Sequence, residues 1–239
     1  MSPRRAAAAL AAALAVLTGC GGAPRAEGTA TLWVTRDEGR KVLLVADVPA
    51  GLTALQALDR EADVETRYGG RYVNAINGVA GSLSAGRDWF YFVNGYEGDR
   101  GAAEYRLRDG DVEWWDFRSW RTRQRQPFVV GAFPEPFAHG FDGRRREAAV
   151  RYEAPEHADV ARALGDVVGA TSVAEASEAA PPGANVLVVV GRPGNVFRED
   201  PQARAERPGD AVRLLVGAGA ARRLAREPAV FRFRYEVAG

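Results

Sequence analysis

The stretch Asp88-Trp89-Phe90-Tyr91-Phe92-Val93-Asn94-Gly95 decides the fold of the N-terminal half of this chain. Successive side chains of a β-strand point to opposite faces of the sheet, so Trp89, Tyr91 and Val93 share one face while Phe90, Phe92 and Asn94 share the other. The later run Val112 to Phe117 divides in the same way, with Trp115 and Phe117 opposite Val112 and Trp114. The sequence therefore predicts a sheet with aromatic side chains on both faces.

Upstream, Leu32 and Val34 and then Val42 to Val48 read as two strands joined at Asp37-Glu38-Gly39, a hairpin-turn composition. Thr53-Ala54-Leu55-Gln56 has capping-box form, and Leu52, Leu55 and Leu58 follow helical spacing, which predicts one amphipathic helix of about ten residues. Further strands are expected over Val64 to Tyr68, Tyr72 to Ile76, Trp89 to Val93, Ala103 to Leu107 and Val112 to Phe117, with a tight turn at Asp109-Gly110. One helix lying across a sheet is the β-grasp arrangement. Past Phe117 the chain turns Arg- and Pro-rich. Beyond it, strands are expected at Val150 to Glu153, Asn185 to Val190, Val212 to Val216 and Phe231 to Val237, with a helix from His157 to Val168. The fold class is α+β: an N-terminal β-grasp-like domain (29–120), an interdomain strap (121–140) and a small α/β domain (141–239).

A single short helix covers only one face of the aromatic sheet. The other face is either packed by the C-terminal half, which makes every ring core, or open to a ligand. Tyr and Trp join an apolar body to a polar tip and suit a flat conjugated ligand, which makes Trp89, Tyr91, Tyr96, Tyr105 and Trp115 the ligand-facing candidates.

The motifs Gly70-Arg71-Tyr72-Val73-Asn74-Ala75-Ile76-Asn77-Gly78, Asp88 to Gly95, Gly101-Ala102-Ala103-Glu104-Tyr105 and Asp109-Gly110-Asp111, in that order, resemble the transcobalamin C-terminal-like domain family, called DUF4430. The resemblance spans roughly residues 30 to 117, judged by the order of these motifs. It implies a β-grasp domain like the smaller one that closes over cobalamin in animal carriers, and hence a cobalamin, another corrinoid or another planar ligand. It also implies that Asn77, Gly78, Val79 and Trp89 lie on the ligand-facing segment, with Tyr72 in the same motif and Gly101 to Tyr105 in the region that follows. This chain lacks the large helical domain of those carriers, and fold alone does not carry function.

At the N-terminus, Arg4 and Arg5 precede an apolar run from Ala6 to Leu17, which reads as a secretory signal over residues 1–19. The run falls short of the about 20 apolar residues that a bilayer span requires. Leu17-Thr18-Gly19-Cys20 resembles the bacterial lipobox, whose Cys carries fatty acyl chains such as palmitate. Cys20 is the only cysteine of the 239 residues, so no disulfide can form within the chain. The expectation is an extracytoplasmic protein anchored to the membrane through a lipid on Cys20, with residues 20–28 as a tether. Net charge is +1, and loss of Arg4 and Arg5 takes the chain to −1, so nothing points to nucleic acid.

Catalytic signals are poor. His139 and His157 are the only histidines, they lack metal-ligand spacing, and no Gly-x-Ser-x-Gly elbow is present. Gly217-Ala218-Gly219-Ala220-Ala221-Arg222 has Arg222 where a dinucleotide fingerprint needs its third glycine, and reads as a strand-to-helix turn. The arginines from Arg118 to Arg125 read as a solvated strap or as a collector of anionic lipid or phosphate. Val129 to Phe137, with its prolines and phenylalanines, reads as the segment that docks the two halves. The sequence thus points to a lipoprotein that binds a small ligand, with no catalytic residue, metal or cofactor, and in one version delivers it to a membrane transporter. The alternative is a structural or adaptor envelope lipoprotein with no small-molecule ligand.

Overall fold

The computed structural model describes residues 28–238; the expected signal, Cys20 and most of the tether lie outside these residues. The N-terminal part runs β1 (Thr29–Arg36), β2 (Lys41–Pro49), α1 (Ala54–Glu61), β3 (Val64–Arg67), β4 (Tyr72–Ile76), β5 (Val79–Ala80), β6 (Arg87–Val93), β7 (Tyr96–Glu97) and β8 (Val112–Ser119). Five of these strands form one sheet in the order β2-β1-β8-β6-β7, and β3-β4-β5 form a smaller one. Within the larger sheet β1 and β8 are parallel while its other pairs are antiparallel. The fold is α+β.

Local chemistry places these elements. The Thr53 hydroxyl accepts from the Gln56 N–H at 3.2 Å and the Gln56 side chain accepts from the Thr53 N–H at 2.9 Å, which closes the capping box that starts α1. Asn77-Gly78 and Asn94-Gly95 have positive φ at both positions and make two-residue turns between β4 and β5 and between β6 and β7. Residues 103 to 107, expected as a strand, form a turn and a single bridge from Arg106 to Thr53 instead. Burial of Tyr105 and Leu107 draws this segment onto the core rather than into a ladder.

The C-terminal part runs β9 (Ala148–Tyr152), α2 (Ala158–Val168), β10 (Ser172–Glu175), β11 (Asn185–Val190), β12 (Phe197–Glu199), β13 (Arg213–Gly217) and α3 (Ala218–Arg226). Its sheet has the order β10-β9-β11-β13-β12, parallel except for β12. Leu164, Val168, Ala220 and Leu224 of the two helices pack with Val150, Leu187, Val189, Leu214 and Val216 of the strands. The buried Arg151 holds the 176–184 loop beside the other face, donating to the carbonyls of Glu178 at 3.0 Å and Ala179 at 2.8 Å.

The aromatic sheet divides by face as its alternation requires. Trp89, Tyr91, Val93, Trp115 and Phe117 join the core on the α1 side. Trp33, Phe92 and Trp114 form a second cluster with Val129, Ala132 and Tyr235. That second face is not open. The strap and the chain's tail seal it, with Tyr235 edge-on to Phe92 and Trp114 at 5.5 and 5.3 Å and Phe233 edge-on to Trp33 at 4.7 Å. The tail, expected as a strand over 231–237, forms none. Phe233 takes φ 66°, which breaks the extended run, and the Val130 and Phe233 N–H groups bond to Tyr235 and Gly131 carbonyls as the tail crosses the strap. Any side chain at Gly39 would place its Cβ 1.3 Å from the Phe233 carbonyl oxygen, so the hairpin turn needs glycine for this approach.

The tail is fixed by one buried carboxylate. Asp116 accepts from the Thr35 hydroxyl at 2.6 Å, the Glu38 and Gly39 N–H groups at 3.0 and 3.1 Å and the Tyr235 hydroxyl at 3.0 Å. Burial pushes the Asp116 carboxyl up from the ordinary range, against the pull of these donors. In the strap Val129, Val130, Phe133 and Phe137 are buried, and Phe133 meets Phe197 at 5.5 Å. Tyr235→Ala is therefore expected to cost about 3–5 kcal/mol and Tyr235→Phe about 1–3 kcal/mol. Denaturant midpoints measure both, and an unchanged midpoint for Tyr235→Ala would contradict the seal.

Candidate functional site

With one face closed, the remaining aromatic surface faces the α1 side. There a cleft of about 190 Å³ lies between the β6 and β8 rings, the start of β4 and the 99–102 loop. Tyr91 stacks on Trp115 with centroids 5.2 Å apart and planes at 26°, and this pair lines the cleft beside Trp89. Tyr72 and Arg71 border it on one side, Arg100 and Gly101 on the other.

Polar tips hold these rings in place. Trp89 Nε1 donates to the Val79 carbonyl at 2.7 Å, the Tyr91 hydroxyl to the Arg100 carbonyl, and the Tyr72 hydroxyl to Asp88. Burial, then the hydrogen bond to Asp88 and its charge, push the Tyr72 phenol up to about 12. Burial raises the Tyr91 phenol also. Both stay neutral donors at physiological pH. Arg100 pairs with Asp99 at 2.8 Å and with Asp142 at 3.4 Å, whereas the exposed Arg71 has no ion pair among the described residues. The cleft is thus floored by buried rings, Trp89 at 6% and Trp115 at 3% exposed, with the half-buried Tyr72 and Tyr91 and the exposed Arg71 at its rim.

Of the nine residues named from the sequence, Tyr72, Trp89, Tyr91 and Trp115 line this cleft. Val79 adjoins it through its carbonyl on Trp89. Asn77 and Gly78 form the exposed β4–β5 turn, where Asn77 Oδ1 accepts from the Asp63 N–H at 2.9 Å. Tyr96 and Tyr105 lie elsewhere and are buried. The Tyr96 hydroxyl reaches the Asp210 carbonyl at 2.5 Å across the seam of the two halves, and the Tyr105 hydroxyl accepts from the Asp142 N–H at 3.1 Å. Cys20 lies outside the described residues.

Sequence reasoning missed Glu113, the buried acid behind the aromatic floor. It is fully buried; one carboxyl oxygen accepts from Trp115 Nε1 at 2.5 Å and the other has no partner. The signal was available, because Glu113 shares its strand face with Trp115 and Phe117 in an otherwise apolar alternation. Burial pushes the Glu113 carboxyl well above the usual range, with Asp111 adding to the rise. Among the described residues no group of three or more His, Cys, Asp or Glu side chains is placed to hold a metal, and no helix is long and apolar enough to cross a membrane. His139 is held by the buried Glu135, with Nδ1 2.5 Å from its carboxyl oxygen.

The sign of the pH effect follows from the direction of the Glu113 shift. A carboxyl that holds its proton more tightly when folded leaves the unfolded chain ionising first, so stability falls as pH rises above the ordinary carboxylate range and levels off above the raised value. Glu113→Gln keeps an acceptor for Trp115 and removes this loss. The variant is expected to match the parent near the acid end of its folded range and to exceed it at pH 8, as read from denaturant midpoints; a lower midpoint at pH 8 would contradict the assignment.

Among curated proteins, none matches this chain. Two of the solved structures to which part of this chain is similar are as follows. A protein from Ruminococcus gnavus provisionally described as metal binding is 17% identical over 39% of this chain and 98% of that chain, with a TM-score of 0.32. Haptocorrin in complex with Cbi is 18% identical over 38% of this chain, with a TM-score of 0.32; the match spans 24% of the haptocorrin chain. Residues 51–119, which include every residue lining the cleft, match the family model described as Domain of unknown function (DUF4430).

Proposed function

We propose that this protein is an extracytoplasmic lipoprotein, anchored through Cys20, whose DUF4430 segment captures a small planar ligand at the aromatic cleft. The observation that carries the reading is the cleft itself: a stacked Tyr91–Trp115 pair with Trp89 and Tyr72 around it and the exposed Arg71, without an ion pair among the described residues, among its lining. Aromatic faces bind conjugated rings, and an arginine at the edge selects ligands that carry carboxylate or amide acceptors. The volume of about 190 Å³ is below the ~300–1,000 Å³ of sites that enclose drug-sized ligands, so a corrinoid would lie across the mouth and insert only an edge or side arm. Such an open seat suits a protein that hands its ligand onward, in the proposal to a membrane transporter.

Titration of the protein with cobalamin, cobinamide and haem tests this. Saturable tryptophan quenching is expected with at least one of them. Tyr72→Ala and Arg71→Ala should each weaken binding about tenfold, which equals ~1.4 kcal/mol for one lost contact. Absence of quenching by all three, or quenching indifferent to both variants, would sink the reading. For the anchor, Cys20→Ala is expected to move the protein from the membrane fraction to the soluble fraction; retention in the membrane would refute it.

A second reading, an adaptor without a small ligand, is favoured by one observation. Val42, Leu43 and Val45 on the edge strand β2 are exposed, and an apolar sheet edge is a template for a protein partner. The bulge in β2 opposite Val34/Thr35 interrupts that edge and weighs against the reading. It predicts no quenching together with cross-links from β2 to another envelope protein.

A further inference from the structure

Arg118 near the end of β8, Arg123 in the strap and Arg234 in the tail remain unused by the ligand cleft. They gather on the far side of the sheet, where the β1–β2 turn, the start of the strap and the tail enclose two adjoining hollows of about 500 and 410 Å³, both lined by Glu38 and Arg40.

Charge is unevenly committed there. Asp37 pairs with Arg87, and Glu38 with Arg40 at 3.2 Å. The Arg87 guanidinium beside Asp37 holds that carboxyl below the usual range. The remaining cations have little to neutralise them. Arg118 is 2% exposed and donates to the carbonyls of Ser119, Arg123 and Gln124. The nearest carboxylate to it is Glu97 at 3.7 Å, which Arg125 also approaches at 3.9 Å. Arg123 donates to the neutral Gln126 side chain, and Arg234 has no side-chain partner among the described residues. The Nε atoms of Arg87 and Arg118 are buried without an acceptor. Glu97 answers Arg118, which leaves Glu236 as the one lining carboxylate against Arg123 and Arg234.

Planar guanidinium groups with unused N–H donors match the oxygens of a tetrahedral oxyanion two at a time, which a single ammonium cannot do. The Thr122 hydroxyl lines the same hollow and adds a neutral donor. We infer that this arginine-lined hollow, formed by the β1–β2 turn, residues 118–123 and the tail, binds an oxyanion of the phosphate class. Its source is either a free phosphate or the headgroup of an anionic lipid, both of which present the same oxygens. This site is separate from the aromatic cleft and does not depend on it.

The test uses the chain carrying Cys20→Ala, so that no lipid anchor contributes, titrated with inorganic phosphate and followed by calorimetry, and separately sedimented with vesicles of phosphatidylglycerol or of phosphatidylcholine. Saturable phosphate binding, or retention on phosphatidylglycerol but not phosphatidylcholine vesicles, is expected, and the two arms identify the source. Arg123→Gln/Arg234→Gln should weaken that binding at least tenfold. Both side chains are exposed, so the fold should stay intact; Arg71→Ala at the other cleft should leave phosphate or vesicle binding unchanged. Binding that fails in both arms, or that the double variant leaves unaltered, would overturn the inference.

Discussion

The structure depends on a buried carboxylate beneath the tail. Asp116 gathers one hydroxyl from β1, two amides from the β1–β2 turn and the phenol of Tyr235, and so binds three distant segments at one point. A buried carboxylate without such donors would carry a desolvation cost of several kcal/mol. With them it becomes a fastening. The tail it holds lays Phe233 and Tyr235 over Trp33, Phe92 and Trp114, and this covering turns a two-faced aromatic sheet into one with a single working face.

Closure of that face shapes the rest. The two halves join through Tyr96, Phe133 and the strap, so the C-terminal sheet supports the N-terminal one instead of facing a ligand beside it. The rings on the α1 side are stiffened by bonds to fixed carbonyls, which leaves a shallow, preformed cleft at little ordering cost. The charge pattern follows the same division: neutral rings and the exposed Arg71 lie at the cleft, while Arg118, Arg123 and Arg234 meet where the tail joins the turn.

Much of this was legible in the residues. The two-residue period of Trp89 to Val93 and of Val112 to Phe117 assigned each ring to its face, Thr53 and Gln56 marked the helix start, and the run Asn185 to Val190 gave a buried strand with its true bounds. These are local signals, set by a few neighbours in sequence. The fate of the second face was not local. It rests on Tyr235 reaching Asp116 across 119 positions, and the apolar 231–237 stretch looks like a strand until a positive φ at Phe233 bends it over the sheet. Tyr96 and Tyr105 misled for a related reason. Their polar tips suited a ligand equally well, yet the seam between the halves supplied the partners.

One aromatic face is sealed, and the proposed ligand would meet the protein on the other. The indole N–H resonances of the five tryptophans report on both faces at once. On addition of cobinamide to the isotopically labelled protein, shifts are expected at Trp89 and Trp115 with Trp33 and Trp114 unmoved. Shifts confined to Trp33 and Trp114, or none at any of the five, would contradict this expectation.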